Sequence, residues 1–231
     1  MKKFRLDRYI SSSSEFSRSE VRNLIRKGKV LVNGREIRDP SFKVQEDDEV
    51  SLDGVIIGPP QMVYIAMFKP AGFLSVTLGN EGSVLEILKH PLRKRLSIAG
   101  RLDKDVEGLL LLSNDGQFIH RVISPRNKVE KEYHVWVEGS LPENAEELVE
   151  KGLILRDGTS CRPGRLIRVS SDLISLTICE GMFHQVKNMC YALGVNPVKI
   201  RRIRIGPVFL DGLREGDWRE LTSEEVEILK R

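Results

Sequence analysis

The sequence predicts an α+β protein in which a small helix-hairpin module precedes a larger domain with a mixed, mainly antiparallel sheet flanked by helices. Three observations carry this expectation. Strand-like apolar runs alternate with helix-like stretches without βαβ regularity. Glycine-rich phosphate loops of the G-x-G-x-x-G or Walker type are missing, so nucleotide cofactors are not indicated. Gly58-Pro59-Pro60 interrupts every periodic pattern and reads as a linker. With 231 residues, 40% of them hydrophobic, the chain can build one large and one small core. The expected division is a module over residues 1–57, a linker over 58–62 and a large domain over 63–231.

The first element is a helix opened by Ser17-Arg18-Ser19-Glu20, a capping box in which the Ser17 hydroxyl and the Glu20 carboxylate satisfy orphan amides; Gly28 ends it. Val21, Leu24 and Ile25 form its apolar stripe, while Arg18, Arg22 and Arg26 recur every fourth residue as a basic ridge on another face. Next come apolar runs over 29–32 and 35–37 joined by Asn33-Gly34, a strong hairpin signal, and a further short strand over 49–52. Beyond the linker, residues 63–68 read as a strand. The stretch from Ala99 to Gly116 then sets Asp103, Asp105 and Glu107 on a turn directly before four consecutive leucines, Leu109 to Leu112, which read as strand. A loop acid anchored by a buried strand is a common way to build an active site. Helices are expected over 143–151 and 183–193.

The net charge of +4 is modest, but its distribution is uneven. Residues 1–43 hold twelve Lys or Arg against five Asp or Glu, and residues 44–58 hold five acids and no base. Residues 181–206 carry Lys187, Lys199, Arg201, Arg202 and Arg204 without an acid. Two basic surfaces are therefore expected, which suits a polyphosphate partner because each neutralised phosphate releases counterions. Cys161, Cys179 and Cys190 lie far apart without a Cys-x-x-Cys pair, so reduced, buried thiols are expected rather than disulfides or, with His184, a zinc site. No apolar run approaches a membrane span, and Met1-Lys2-Lys3-Phe4-Arg5-Leu6-Asp7 turns polar too soon for a secretory leader, so a cytoplasmic protein is expected. Nothing demands more than a monomer.

Gly100-Arg101-Leu102-Asp103 resembles the catalytic motif of the pseudouridine synthases that modify ribosomal RNA. Lys69-Pro70-Ala71-Gly72, Ser124-Pro125-Arg126, Glu130-Lys131-Glu132-Tyr133, the run from Glu180 to Met189 and Arg204-Ile205-Gly206-Pro207 match that family in order and at similar spacing. The His184-Gln185-Val186-Lys187 version is most similar to the small-subunit branch. At the front, Arg5-Leu6-Asp7, the Ser-Arg-Ser-Glu helix and the Val-Asn-Gly turn resemble the S4 RNA-binding domain. The resemblance implies an isomerisation of uridine to pseudouridine that needs no cofactor and no metal. It implies Asp103 as the catalytic carboxylate, either nucleophile or base toward the sugar, and Lys187 as the cation that keeps it ionised. Tyr133 would stack on the target base and assist proton transfer, Ile200 would press on the base's other side, and Arg101 would help extrude the nucleotide or contact phosphate. Arg18, Arg22 and Arg26 would hold RNA. Asn188 departs from the pattern, standing where the family often has a second basic residue.

Competing readings of the same residues are weaker. A calcium loop beginning at Asp103 fails at Asn114, where a bidentate Glu is required, and at Leu111. Asp105 and Glu107 are left out of the site, because like charges beside Asp103 would hinder its ionisation unless they point away. A glycoside hydrolase would need a second carboxylate, for which Glu180 is available, but basic stripes suit a polyphosphate better than a neutral sugar. A non-catalytic rRNA-binding assembly factor would use the front module alone. The small-subunit resemblance implies uridine 516 of 16S rRNA as the target, in a partly assembled small subunit; a 23S target remains the alternative within the family.

Overall fold

The computed structural model describes residues 3–14, 16–76 and 81–231; Met1 and Lys2 of the polar N-terminus, Glu15 and residues 77–80 lie outside the described residues. The chain divides into two compact units, Met1–Met62 and Val63–Arg231.

The first unit contains β1 (Lys3–Arg5), α1 (Leu6–Ser13), α2 (Arg18–Arg26), β2 (Val30–Val32), β3 (Arg35–Glu36), β4 (Lys43–Gln45), β5 (Val50–Leu52) and β6 (Val55–Ile57). α2 begins at the expected capping box: the Glu20 amide donates to the Ser17 hydroxyl, and the Ser17 amide donates to the Glu20 carboxylate. Asn33 and Gly34 both take positive φ, 50° and 77°, the conformation a tight hairpin between twisted strands requires, and β2 pairs with β3 across them. β3-β2-β5-β6 form an antiparallel sheet, and β1 pairs separately with β4. α1, which the sequence analysis does not predict, buries Leu6, Tyr9 and Ile10 against Val21, Ile25 and Val30.

The second unit contains β7 (Tyr64–Lys69), α3 (Val84–Ile87), β8 (Ser97–Ala99), β9 (Glu107–Ser113), α4 (Gly116–Ile123), β10 (Lys131–Glu138), α5 (Ala145–Lys151), β11 (Arg165–Arg168), β12 (Leu173–Ile178), α6 (Gln185–Ala192), β13 (Asn196–Ile205), β14 (Val208–Phe209), β15 (Trp218–Glu220) and α7 (Ser223–Lys230). Among the described residues its strands form one sheet in the order β11-β12-β10-β13-β9-β7-β15, with β14 on β13 and β8 on β9. Every pairing is antiparallel except β13 with β9. The sheet is thus mixed and mainly antiparallel, as the irregular alternation of strands and helices indicates.

The leucine run owes its length to β9 being central. All seven residues of β9 are buried. Leu110 and Leu112 enter the core cluster that also holds Val84, Leu85, Tyr133 and Met189, while Leu109 and Leu111 enter a second cluster with Phe118, Val122 and Leu229 on the other face. A strand covered on both faces reads as a continuous apolar run rather than an alternating one. Gly108 makes this placement possible: with φ +115° it lies so close to β13 that a Cβ would fall 2.3 Å from the Arg202 carbonyl oxygen.

Candidate active site

Asp103 sits in the loop between β8 and β9, and that loop is gripped from the β7 side. The Gly72 amide donates to the Lys104 carbonyl at 2.7 Å. The fully buried Lys69 ammonium donates to the carbonyls of Val106 at 2.6 Å, Pro70 at 3.0 Å and Lys104 at 3.4 Å. On the other flank the Ser75 hydroxyl donates to the Leu102 carbonyl at 2.8 Å and accepts from the Leu102 amide at 3.0 Å. Leu102 and Val106 bury their side chains in the core, which leaves Asp103 between them with its carboxylate 30% exposed. The Lys69-Pro70-Ala71-Gly72 motif therefore holds the segment directly after Asp103 by hydrogen bonds to the Lys104 and Val106 carbonyls, and Ser75 holds the residue before it.

Lys187, on α6, reaches this loop from 84 positions further along the chain, and its Nζ lies 3.4 Å from Asp103 Oδ2. Its tighter partner is Asp105, both of whose oxygens accept from Lys187 at 2.8 Å. Asp105 thus does not point away from Asp103 but shares the same ammonium with it. The hydrogen bond from Lys187 holds the Asp105 carboxyl below the usual range. Burial works against the Lys187 charge, but Asp105 and then Asp103 outweigh it and raise the ammonium above the ordinary lysine range. Glu107 does point away. It is buried and accepts from Arg201 Nε at 2.5 Å, with Lys199 Nζ 3.0 Å from the same oxygen.

His184, treated in the sequence analysis only as a weak metal ligand, belongs to the same cluster, with Nε2 3.5 Å from Asp103 Oδ2. Its backbone is left-handed, φ 49°, and α6 accordingly starts at Gln185 rather than at residue 183. Nothing in its local spacing signals this. Glu180 anchors the preceding turn: Gln185 Nε2 donates to it at 2.6 Å and the Arg162 amide at 2.9 Å. Both bonds go to Oε1, and Arg162 Nε lies 3.7 Å from Oε2, so Glu180 is engaged in closing this turn.

Tyr133 on β10 and Ile200 on β13 are 7% and 5% exposed and share the core cluster with Leu102, Val106 and Val186, the neighbours of Asp103 and Lys187. Arg202, expected from the sequence only as part of a basic surface, links Tyr133 to the backbone on either side of the Asp103 loop. It is buried, and its guanidinium donates to the Leu109 carbonyl at 2.7 Å, the Gly100 carbonyl at 3.1 Å and the Tyr133 hydroxyl at 3.4 Å. Arg101 is exposed and forms no hydrogen bond or ion pair among the described residues.

The basic run over 181–206 does not form an unpartnered basic surface. Lys187 is taken by Asp105 and Asp103, Lys199 and Arg201 by Glu107, Arg202 by carbonyls, and Arg204 by Glu130 at 2.9 Å and Glu132 at 2.8 Å. In the first unit, Arg18 and Arg22 each donate to the fully buried Asp7 at 3.0 Å, and Arg5 donates to it at 3.2 Å. Burial alone would raise the Asp7 pKa, but these guanidiniums hold it far below the usual carboxylate range. Arg26 is exposed and outside this network.

An acid on a gripped loop, a shared lysine and a buried Tyr-Arg pair thus converge in a unit whose residues 63–192 match the model of the RNA pseudouridylate synthase family. The chain belongs to the RNA pseudouridylate synthase family. Residues 4–50 match the S4 domain. The synthase is 38% identical over 228 residues to ribosomal small subunit pseudouridine synthase A of Vibrio parahaemolyticus, covering 96% of this chain and 98% of that one. It is 34% identical over 234 residues to ribosomal large subunit pseudouridine synthase B of Bacillus subtilis, covering 98% and 95% respectively. A crystal structure of a pseudouridylate synthase superposes with a TM-score of 0.71 at 34% identity, covering 98% of this chain and 99% of that one. No helix among the described residues of the synthase is long and apolar enough to cross a membrane.

Proposed function

We propose that this synthase isomerises one uridine of ribosomal RNA, with Asp103 as the catalytic carboxylate. The observation that carries the reading is the approach of Lys187 Nζ to within 3.4 Å of a carboxylate whose loop is held on both flanks by side-chain hydrogen bonds to its backbone carbonyls. Asp103 acts on the sugar as nucleophile or base while the glycosidic bond breaks; the freed uracil turns and rejoins through carbon. Both roles need the ionised acid, and Lys187 supplies the neighbouring positive charge. Tyr133 and Ile200 bound the uracil site, and Arg202 positions Tyr133. Arg101, exposed beside Asp103, takes a phosphate or helps extrude the nucleotide. The first unit, with Arg18, Arg22 and Arg26, holds the RNA strand.

The similarity to small-subunit enzymes favours uridine 516 of 16S rRNA, presented in a partly assembled small subunit to a monomer in the cytoplasm. The Bacillus subtilis relative, named for the large subunit, supports a 23S target as the second reading. Asp103→Asn tests the chemistry: pseudouridine formation on rRNA is abolished while RNA binding survives. A variant that forms product at the wild-type rate refutes the assignment and leaves the protein a non-catalytic RNA-binding factor. Mapping pseudouridines in both rRNAs after deletion of the gene decides between the two targets.

A further inference from the structure

Phe183 is the most solvent-exposed large hydrophobic side chain among the described residues, at 80%. Its ring meets the His184 imidazole, and its carbonyl accepts from Asn188 Nδ2 at 3.4 Å. Its position is nevertheless fixed. The Glu180–Gln185 hydrogen bond and the Met182 amide donating to Gln185 Oε1 at 3.0 Å close the turn beneath it. The Phe183 ring then lies flat on the His184 imidazole, with centroids 3.7 Å apart and planes 22° from parallel. The other end of that imidazole is the nitrogen 3.5 Å from Asp103. His184 is held in a left-handed conformation sparsely populated by non-glycine residues, and such strain is retained where surrounding structure enforces it. The result is a two-ring stack beside the carboxylate with the outer aromatic face open to solvent.

We propose that Phe183, backed by His184, is the stacking platform for an unpaired RNA base adjacent to the nucleotide that enters at Asp103. This rests on the reading given under Proposed function. An aromatic face accepts any base, so the platform holds the strand in place without choosing its sequence. A single exposed ring stacked on an imidazole that itself lies 3.5 Å from Asp103 suits the flat face of a base next to the entering nucleotide. Phe183 is a positioning residue, since nothing places it at the reacting atoms.

The test uses the full-length chain and an rRNA fragment that it isomerises, synthesised with 2-aminopurine on either side of the target uridine. Wild type quenches the 2-aminopurine on one side. Phe183→Ala lowers kcat/KM by about 5- to 100-fold, chiefly through KM, and loses the quenching while the thermal midpoint stays unchanged. Phe183→Trp restores both readouts, whereas Phe183→Leu, apolar but without a π face, restores neither. Equal kcat/KM in Phe183→Ala and wild type, or rescue by leucine as complete as by tryptophan, overturns the proposal. Asp103→Asn is measured in parallel and keeps the quenching without forming product. Product formation by Asp103→Asn counts against the catalytic assignment, whereas quenching that survives in Phe183→Ala counts against the platform, so the two failures are told apart.

Discussion

Lys69 and Lys131 are both buried, and burial pushes each ammonium down to about 8 from an ordinary value of 10.5, yet replacing them is expected to move stability in opposite directions. Holding an ammonium charged against that burial costs a few kcal/mol at neutral pH, which solvent screening at the strand end reduces to about 1–2 kcal/mol for Lys131. Among the described residues the Lys131 ammonium has no hydrogen-bond or ion-pair partner, and Arg202 adds repulsion. Lys131→Met keeps the apolar stem and removes the charge, so it stabilises the second unit by about 1–2 kcal/mol. Lys69→Met removes a similar penalty but strands the Pro70 and Val106 carbonyls, at about 1–3 kcal/mol each, and frees the Asp103 loop. Its net effect is a loss of about 1 kcal/mol or more. The assay is urea unfolding followed by tryptophan fluorescence, because Trp136 and Trp218 are the two tryptophans and both lie in the second unit. The pH dependence is a further check. Between about pH 8 and 10.5 the unfolded chain holds more protons on Lys131 than the folded one, so wild-type stability rises with pH and the advantage of Lys131→Met shrinks toward zero. A lower urea midpoint for Lys131→Met at pH 7, or a higher one for Lys69→Met, refutes this reasoning.

Asp7→Asn leaves three guanidiniums around a neutral amide, and about 3 kcal/mol of stability is lost from the first unit, measured as faster amide hydrogen exchange in α1 and α2. Because the folded-state pKa of Asp7 is depressed, its contribution is present above the unfolded value near 4 and is lost as the pH falls below it. Affinity of this variant for rRNA falls even though a negative charge has been removed, whereas a purely electrostatic ridge predicts a rise. Gly108→Ala places a methyl group against the Arg202 backbone in a conformation unfavourable to L-residues, at a cost of roughly 2–4 kcal/mol. The urea midpoint of the second unit falls accordingly, and an unchanged midpoint would mean that β9 and β13 can separate freely.

The features legible in the sequence are those whose causes are local. The capping box at Ser17, the turn at Asn33-Gly34 and the leucine strand each depend on residues within a few positions of one another. The charge pattern over 181–206 misleads for the opposite reason. Its counter-ions, Asp105, Glu107, Glu130 and Glu132, arrive from the neighbouring strand β9, the loop before it and the start of β10, so a run without acids in sequence is neutralised in space. The arginines of α2 repeat the lesson. Their four-residue spacing is visible, but the single buried carboxylate at Asp7 that gathers Arg18 and Arg22 belongs to α1, a helix the sequence analysis does not expect. Asp103 and Lys187 are identifiable only through motif resemblance, because 84 positions separate them and no periodicity links them.

The sharing of Lys187 bears on how the acid can work. Asp105, 70% exposed, takes both short hydrogen bonds, while Asp103 keeps the ammonium at 3.4 Å and the imidazole at 3.5 Å. Had Asp103 taken the two short bonds instead, both of its oxygens would be committed to the lysine, and attack on a sugar carbon or removal of its proton would first require breaking them. Here the tight pair is made by a carboxylate with no assigned chemical role, and that pair fixes the lysine's position. The positive charge then stands beside Asp103 without committing both of its oxygens. On the proposed reaction, Asp105 is therefore the residue that turns a lysine, a flexible point charge without the fork geometry of arginine, into a fixed element of the site.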